Sequence, residues 1–371
     1  MRITALTLRN IRSYESFQAD LSGRSVVITG PNGAGKTNLL EALTLFGPGR
    51  TLRRSRLPEV VRQGAEEGAG AGITLCDDGE DERRLVVTIP PPRFDKREIR
   101  IDGEPVRKAG TLTDLLRFLW LTPAMDRLFM DAPGDRRRFL DRIAAAGSSA
   151  HAEDTARYEK AMRQRMAALE QGAPPQVLSA LESEMAASGV KIAGTRRETA
   201  ESLARGYEAL RQEAFPQASV FIEGDVDLML GEKGPEAAME AFRARLQGNR
   251  RIDRDAKRTL VGPHRSDLVV THLGKAMPAK LCSTGEQKAL LIGLILARAA
   301  AAKGQGGSAL VLLLDEIAAH LDETRREALA QTLEKLGLQA FLTGTDEAAF
   351  APFLPDMDHL RPGAGQIGSL A

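Results

Sequence analysis

Eight consecutive residues, GPNGAGKT at positions 30 to 37, constrain this chain more than any other stretch. They satisfy the pattern G-x-x-x-x-G-K-[ST] and stand where it has mechanical meaning, after the apolar run SVVITG and before the helical pattern NLLEALTLF. Glycines let the backbone N–H groups of such a loop wrap around phosphate oxygens with no Cβ in the way, and the helix that follows adds its positive dipole end. Lys36 would bring a point charge to the β and γ positions of a nucleotide, and the Thr37 hydroxyl would face Mg2+. Gly30, Pro31, Asn32, Gly33, Ala34, Gly35, Lys36 and Thr37 are therefore read as a nucleotide-binding loop.

ALVLLLDEIAAHLD, residues 309 to 322, opens as the unbroken apolar run that a parallel strand needs when both of its faces are covered. It closes on adjacent carboxylates. In a protein with a phosphate loop, Asp315 would hold Mg2+ through water, and Glu316 could orient and deprotonate an attacking water. The plainer alternative makes both of them helix-start acids answering a dipole.

CSTGEQKALLIGLILARAA, residues 282 to 300, sets small and polar residues ahead of a long apolar helix. Ser283 and Glu286 fit a capping box, in which hydroxyl and carboxylate satisfy each other's backbone N–H groups. Gly285 falls outside that explanation, because glycine in a first turn only costs stability. An anion approaching the helix start would account for it. On these residues alone both readings stay open.

Around the motifs, the pattern is an α/β fold split by a mainly helical insert. RITALTLR and SVVITG read as strands joined by a polar link, residues 70 to 106 as β-rich with a hairpin turn at Asp102-Gly103, and TLTDLLRFLW, from 111, as helix. Between 150 and 215 apolar positions recur at helical spacing with a break at Gly172-Ala173-Pro174-Pro175, which suits an antiparallel helix pair too short for a long coiled-coil arm. Residues 260 to 345 return to apolar strands with glycine turns. The expected division is 1–145 and 256–371 for the α/β domain and 146–255 for the insert.

A net charge of +1 offers no global case for a polyanionic partner. Locally, the first 62 residues carry ten Lys/Arg against four Asp/Glu, and the excess is densest in RTLRRSR at 50 to 56. Arg50, Arg53, Arg54 and Arg56 are thus candidate phosphate contacts. FRARLQGNRRIDRDAKR, residues 242 to 258, is a second run, with seven basic residues against two acidic. For both runs the alternative is a solvated face. Cys76 and Cys282 lie 206 positions apart with no further ligand at metal spacing, which argues against a disulfide framework or a zinc site and fits a reducing cytoplasm. No signal-peptide pattern opens the chain, and the apolar segment 286 to 302 carries Lys288 and Arg298, so a buried helix rather than a membrane span is expected.

Together the phosphate loop, the Asp-Glu strand end and the Ser-x-Gly-x-Gln helix start resemble the ATPase heads of the ABC superfamily. NIRSY at 10 to 14, KTNLLEAL at 36 to 43, APGDRRRFLD at 132 to 141, ARYEKAMRQR at 156 to 165 and GPHRSDL at 262 to 268 narrow the resemblance to the RecF family of bacterial recombination mediators, over almost the whole chain. The chain departs from that pattern in Ser266, where Asp is more usual, in Glu286, where Gln is common, and in TPAMDRL near 123, which replaces a Pro-Glu-Asp stretch.

The resemblance implies a split ABC-type P-loop ATPase head with an inserted helical lobe, ATP and Mg2+ as cofactors, and DNA-stimulated ATP hydrolysis at Glu316. It implies that Ser283 and Gly285 contact the γ-phosphate of ATP held by the opposite subunit of a head-to-head homodimer. His320, Leu321 and Asp322 would form a loop crossing that interface, and FLTGTD, residues 341 to 346, would be the last core strand and a switch segment, with Thr343, Thr345 and Asp346 where family members often carry His. Double-stranded, gapped or junction DNA would be the ligand, with RecR and RecO as partners in loading RecA. Other proteins share the nucleotide motifs: a transporter's nucleotide-binding subunit, which seldom carries so long a helical insert, and an SMC-type chromosome protein, which would show a long heptad tract. Arg12, Arg136 and His264 have equal claims to structural and direct roles.

Overall fold

The computed structural model describes residues 1–47, 51–77, 81–106, 110–210, 214–302 and 308–363. Met1–Met125 with Ala302–Ala371 make up one compact unit, and Asp126–Ala301 the other. The first unit begins with β1 (Arg2–Ile11), β2 (Tyr14–Asp20), β3 (Val26–Thr29), α1 (Lys36–Thr44), α2 (Leu57–Val60), β4 (Ala69–Cys76), β5 (Glu82–Ile89), β6 (Glu98–Ile101), β7 (Glu104–Pro105), α3 (Gly110–Leu115) and β8 (Leu116–Leu121). The second holds α4 (Pro133–Ala145), α5 (Ser149–Glu170), α6 (Pro175–Leu210), β9 (Ala218–Glu223), α7 (Asp225–Lys233), α8 (Pro235–Gly248), α9 (Arg250–Asp255), β10 (Asp267–His272), β11 (Met277–Pro278) and α10 (Thr284–Ala302). The chain then returns to the first unit with β12 (Ala309–Leu314), α11 (Glu323–Leu336), β13 (Gln339–Gly344) and β14 (Asp358–Leu360).

The first unit is built on two sheets. One is antiparallel, in the order β2-β1-β4-β5-β6-β7; the other is parallel, in the order β14-β3-β13-β12-β8. Their apolar faces share a core in which Ile3, Leu6 and Ile73 meet Leu39, Leu43, Val311 and Phe341. Gln339 links the sheets: its amide accepts from the Ile3 N–H at 2.7 Å and donates to the Ile3 carbonyl at 2.8 Å. This exchange falls where the β1–β4 register slips between Ile3 and Ala5, so a side chain supplies the partners for Ile3 there. In β12, Leu310 to Leu314 are all buried, as a strand between two parallel neighbours requires.

Some expectations need correcting here. TLTDLLRFLW is not one helix: α3 ends at Leu115, and Leu116 to Leu121 form a strand running beside Ala309 to Leu314. Local periodicity in so short an apolar run cannot separate the two states, and pairing with β12 decides for strand. The polar link after β1 contains β2, and FLTGTD is not the last strand, because β14 pairs in parallel with β3 beyond it. The compact division also differs from 146–255: it falls at 126 and 301, which puts α4 and α10 with the helical unit.

In the second unit α5 and α6 form the helical hairpin, broken at Gly172, whose φ of 65° suits a residue without Cβ. Tyr158, Met185, Ile192, Phe242 and Leu246 fill its core. A buried ionic cluster is set beside this core. Arg165, with no exposed surface, donates to Glu182 at 3.1 Å, to Asp253 at 2.7 Å and to the Leu246 carbonyl at 2.7 Å. Sheet β11-β10-β9 completes the unit. Among the described residues, no helix is long and apolar enough to cross a membrane.

Candidate nucleotide site

β3 is four buried residues, Val26 to Thr29, after which the chain must turn sharply to start α1. Gly33 and Gly35 make that turn with φ of 85° and 95°, and a Cβ at Gly35 would run into the Tyr14 ring. The loop stays a cradle of backbone N–H groups. The Lys36 ammonium is buried and bent back over it, donating to the Gly30 carbonyl at 2.8 Å and the Pro31 carbonyl at 3.1 Å. Asn32 is exposed beside it.

The neighbouring strands bring two acids to this loop. Thr37 donates its hydroxyl to Asp315 Oδ1 at 2.9 Å, and Glu316 Oε1 lies 3.3 Å from Lys36 Nζ. Thr343 of β13 donates to Asp315 Oδ1 at 2.8 Å, and the Glu316 N–H donates to the Thr343 hydroxyl at 2.9 Å. Burial pushes the Asp315 carboxyl above its usual range, opposed by the hydrogen bonds from Thr343 and Thr37. The oxygens of Thr37 and Asp315 are hard donors suited to Mg2+, which takes few protein ligands and shares the rest with water and phosphate. Among the described residues there is no group of three or more His, Cys, Asp or Glu side chains that could hold a metal.

More charge lies behind the loop, centred on Glu41, to which the sequence reading gives no role of its own. This fully buried acid in α1 accepts from Arg12 Nε at 2.8 Å, Arg12 Nη2 at 3.0 Å and Thr51 at 2.9 Å. Burial raises its pKa, but the Arg12 guanidinium outweighs this and keeps the carboxyl below its usual range. An acid inside the apolar pattern NLLEALTLF is the one signal of it in the sequence. Arg53 reaches Asn38 of α1 at 3.0 Å, which ties the basic segment to the helix that carries the loop. Arg53, Arg54 and Arg56 are exposed, and Arg50 lies outside the described residues.

Ser283 and Gly285 belong to the other unit, at the start of α10. The Ser283 N–H donates to Glu286 Oε2 at 2.9 Å and the Glu286 N–H to Ser283 Oγ at 3.4 Å, so the reciprocal cap is formed. Lys275 also pairs with Glu286, and Lys275 and Ser283 hold that carboxyl down to about 2. A Cβ at Gly285 would meet nothing within 4 Å, so packing within the chain does not require glycine there.

Other candidates are engaged internally. Arg136 grips Asp267 with two hydrogen bonds of 2.7 Å, and His264 bonds Tyr158 at 2.7 Å and the Thr259 carbonyl at 2.9 Å. In the 242–258 run, Arg250 donates to Glu182 at 2.9 Å and Asp253 belongs to the buried Arg165 cluster, so part of that run serves the fold.

A phosphate loop facing the carboxylate end of a parallel strand, in an α/β unit interrupted by a helical lobe, defines a split ABC-type P-loop ATPase head. The model of the RecF/RecN/SMC N-terminal domain matches residues 2–353. Curated relatives include the DNA replication and repair protein RecF of Mesorhizobium japonicum, 44% identical over 99% of this chain and 97% of its own, and that of Brucella suis, 44% identical over 98% and 95%. Among solved structures, a RecF–ATP complex of the RecFOR pathway superimposes with a TM-score of 0.84 at 21% identity, covering 100% of this chain and 98% of its own. An SMC head bound to the C-terminal winged-helix domain of ScpA gives 0.57 at 16% identity, covering 100% and 98%. The chain belongs to the RecF family of DNA replication and repair proteins.

Proposed function

We propose that this protein is an ATPase of recombinational repair and replication restart that closes on DNA when it binds ATP. The observation that carries the reading is the convergence of Lys36, Thr37, Asp315 and Glu316, which come from the two ends of the chain and touch at distances of 2.9 and 3.3 Å. Residues 30 to 37 would bind the triphosphate, with Lys36 exchanging its loop carbonyls for phosphate oxygens. Thr37 and Asp315 would hold Mg2+, which supplies positive charge to the phosphate oxygens. Glu316 would orient a water in line with the γ-phosphate and take its proton.

Ser283 and Gly285 would meet ATP held by a second copy, where the open space at Gly285 admits a phosphate and the helix start provides N–H donors. Two such sites would make closure of a head-to-head homodimer depend on ATP, since the closed state offers the nucleotide more donors. Closure would bring the Arg53, Arg54 and Arg56 segments of both copies to double-stranded, gapped or junction DNA, and hydrolysis would release them. RecR and RecO, for cooperation in loading RecA, fit the RecFOR pathway to which the solved RecF relatives belong. A cytoplasmic location goes with this role. Family membership and the helical lobe favour it over a transporter subunit.

Phosphate release from Mg-ATP tests the enzymatic part. Steady turnover stimulated by duplex DNA and abolished in Lys36→Ala is the expected result; a preparation that binds no ATP, or turnover that survives Lys36→Ala, contradicts it.

A further inference from the structure

We propose that Thr343 is a positioning residue for ATP hydrolysis, whose hydroxyl fixes the Asp315 carboxylate and sets the backbone of Glu316. This rests on the assignment of Glu316 as the base. Thr343 has no exposed surface, so its side chain is not available to a phosphate in the way a switch residue would be. It sits in β13 between β3, which leads into the phosphate loop, and β12, which leads into the acids. Leu314 pairs with Leu342, so Thr343 lies one step past the last paired residue of β12, level with Asp315.

A threonine hydroxyl has one proton to give, and here it goes to Asp315 Oδ1 at 2.8 Å, while the oxygen accepts the Glu316 N–H at 2.9 Å. The two bonds divide the labour of adjacent acids. Asp315 is held between Thr343 and Thr37, and so stays facing the phosphate loop. Glu316 adopts φ 50° and ψ 38°, a left-handed conformation that side-chain-bearing residues seldom take and that its surroundings must hold. What holds it is the hydrogen bond to Thr343 at its backbone and the ion pair to Lys36, 3.3 Å away, at its carboxylate. With the hydroxyl removed, the phosphate loop keeps its own bonds, but the Glu316 turn loses its backbone partner and Asp315 loses one of its two donors.

Thr343→Val keeps the shape and branching of the side chain and deletes only the hydroxyl, and Thr343→Ser keeps the hydroxyl. We would compare both, with Thr343→Ala in parallel because it leaves room for a water should the valine variant fail to fold, by ATP titration, steady-state turnover against Mg2+ concentration, and thermal melting. The hydroxyl-free variants should lose about 10- to 100-fold in kcat. They should need more Mg2+ for half-maximal turnover and bind ATP as the parent does, while Thr343→Ser recovers the parent rate. Parental kcat in a hydroxyl-free variant overturns the positioning role, as does equal loss in kcat and ATP affinity that tracks melting and is not rescued by serine. Glu316→Gln in the same assay separates the two layers: parental turnover there removes the base assignment itself, whereas an inactive Glu316→Gln beside a fully active Thr343→Val removes only the role of Thr343.

Discussion

Glu316 carries the most specific chemical expectation at the scale of single residues. On the proposed function, replacing it by Gln keeps size and polarity but removes the proton acceptor, so ATP should still bind while turnover falls by about 10²- to 10⁴-fold, a split that nucleotide titration and phosphate release together resolve. Asp141 is a test of the helical unit. Burial pushes its carboxyl up, but hydrogen bonds from His151 at 2.9 Å and from Arg196 at 2.8 and 2.9 Å outweigh this and bring it down to about 2 from an ordinary 3.8. A carboxyl depressed by folding stabilises the native state above its unfolded pKa and loses that contribution as pH falls through the folded one. The expected loss is roughly 2 kcal/mol, between pH near 4 and pH near 2. In Asp141→Asn this part of the pH dependence of thermal melting should vanish. The meeting of the loop residues 30 to 37 with Asp315 and Glu316 was legible because each motif is contiguous and its expected chemistry follows from residue type. The bonds that Glu41 and Thr343 make were not, because their partners, Arg12 and Asp315, lie 29 and 28 positions away and only the tertiary fold joins them.

Helices and strands show the same division between local and distant information. The α5–α6 break at Gly172 to Pro175 and the β6–β7 turn at Asp102-Gly103 follow from turn chemistry in the sequence. β8 does not, because its state depends on β12, about 190 residues further on. One close approach between helices gives a sharp prediction: Gly206 of α6 lies against the backbone carbonyl of Ala297 in α10, and an added Cβ would overlap it. Gly206→Ala should therefore destabilise the protein by about 1–3 kcal/mol despite the better helix propensity of alanine, as measured by denaturant unfolding. At the start of α10 the cap and the proposed phosphate contact are separable. Ser283→Ala alone should cost about 1 kcal/mol of stability by removing the cap, and on the proposed function it should also weaken ATP-dependent self-association; loss of stability with association intact would leave Ser283 as a cap.

For the molecule as a whole, nearly neutral charge means that DNA affinity cannot come from a global field. On the proposed function it would come from local clusters brought together in pairs, with Arg53, Arg54 and Arg56 of two copies supplying them. Binding should then fall steeply with salt, and substituting these arginines should reduce the slope by about one for each phosphate no longer neutralised, as read from titrations at several salt concentrations. The split of the α/β unit by a helical insert was legible from the change in residue pattern near 150, while its compact boundaries at 126 and 301 were not, because α4 and α10 read as ordinary amphipathic and apolar helices whose partners sequence does not reveal. The most direct test of an ATP-operated clamp is the molecular mass and duplex-DNA affinity of Glu316→Gln with and without Mg-ATP. A shift from monomer to dimer accompanied by tighter DNA binding is the predicted result. A mass and an affinity that are both indifferent to ATP would contradict it.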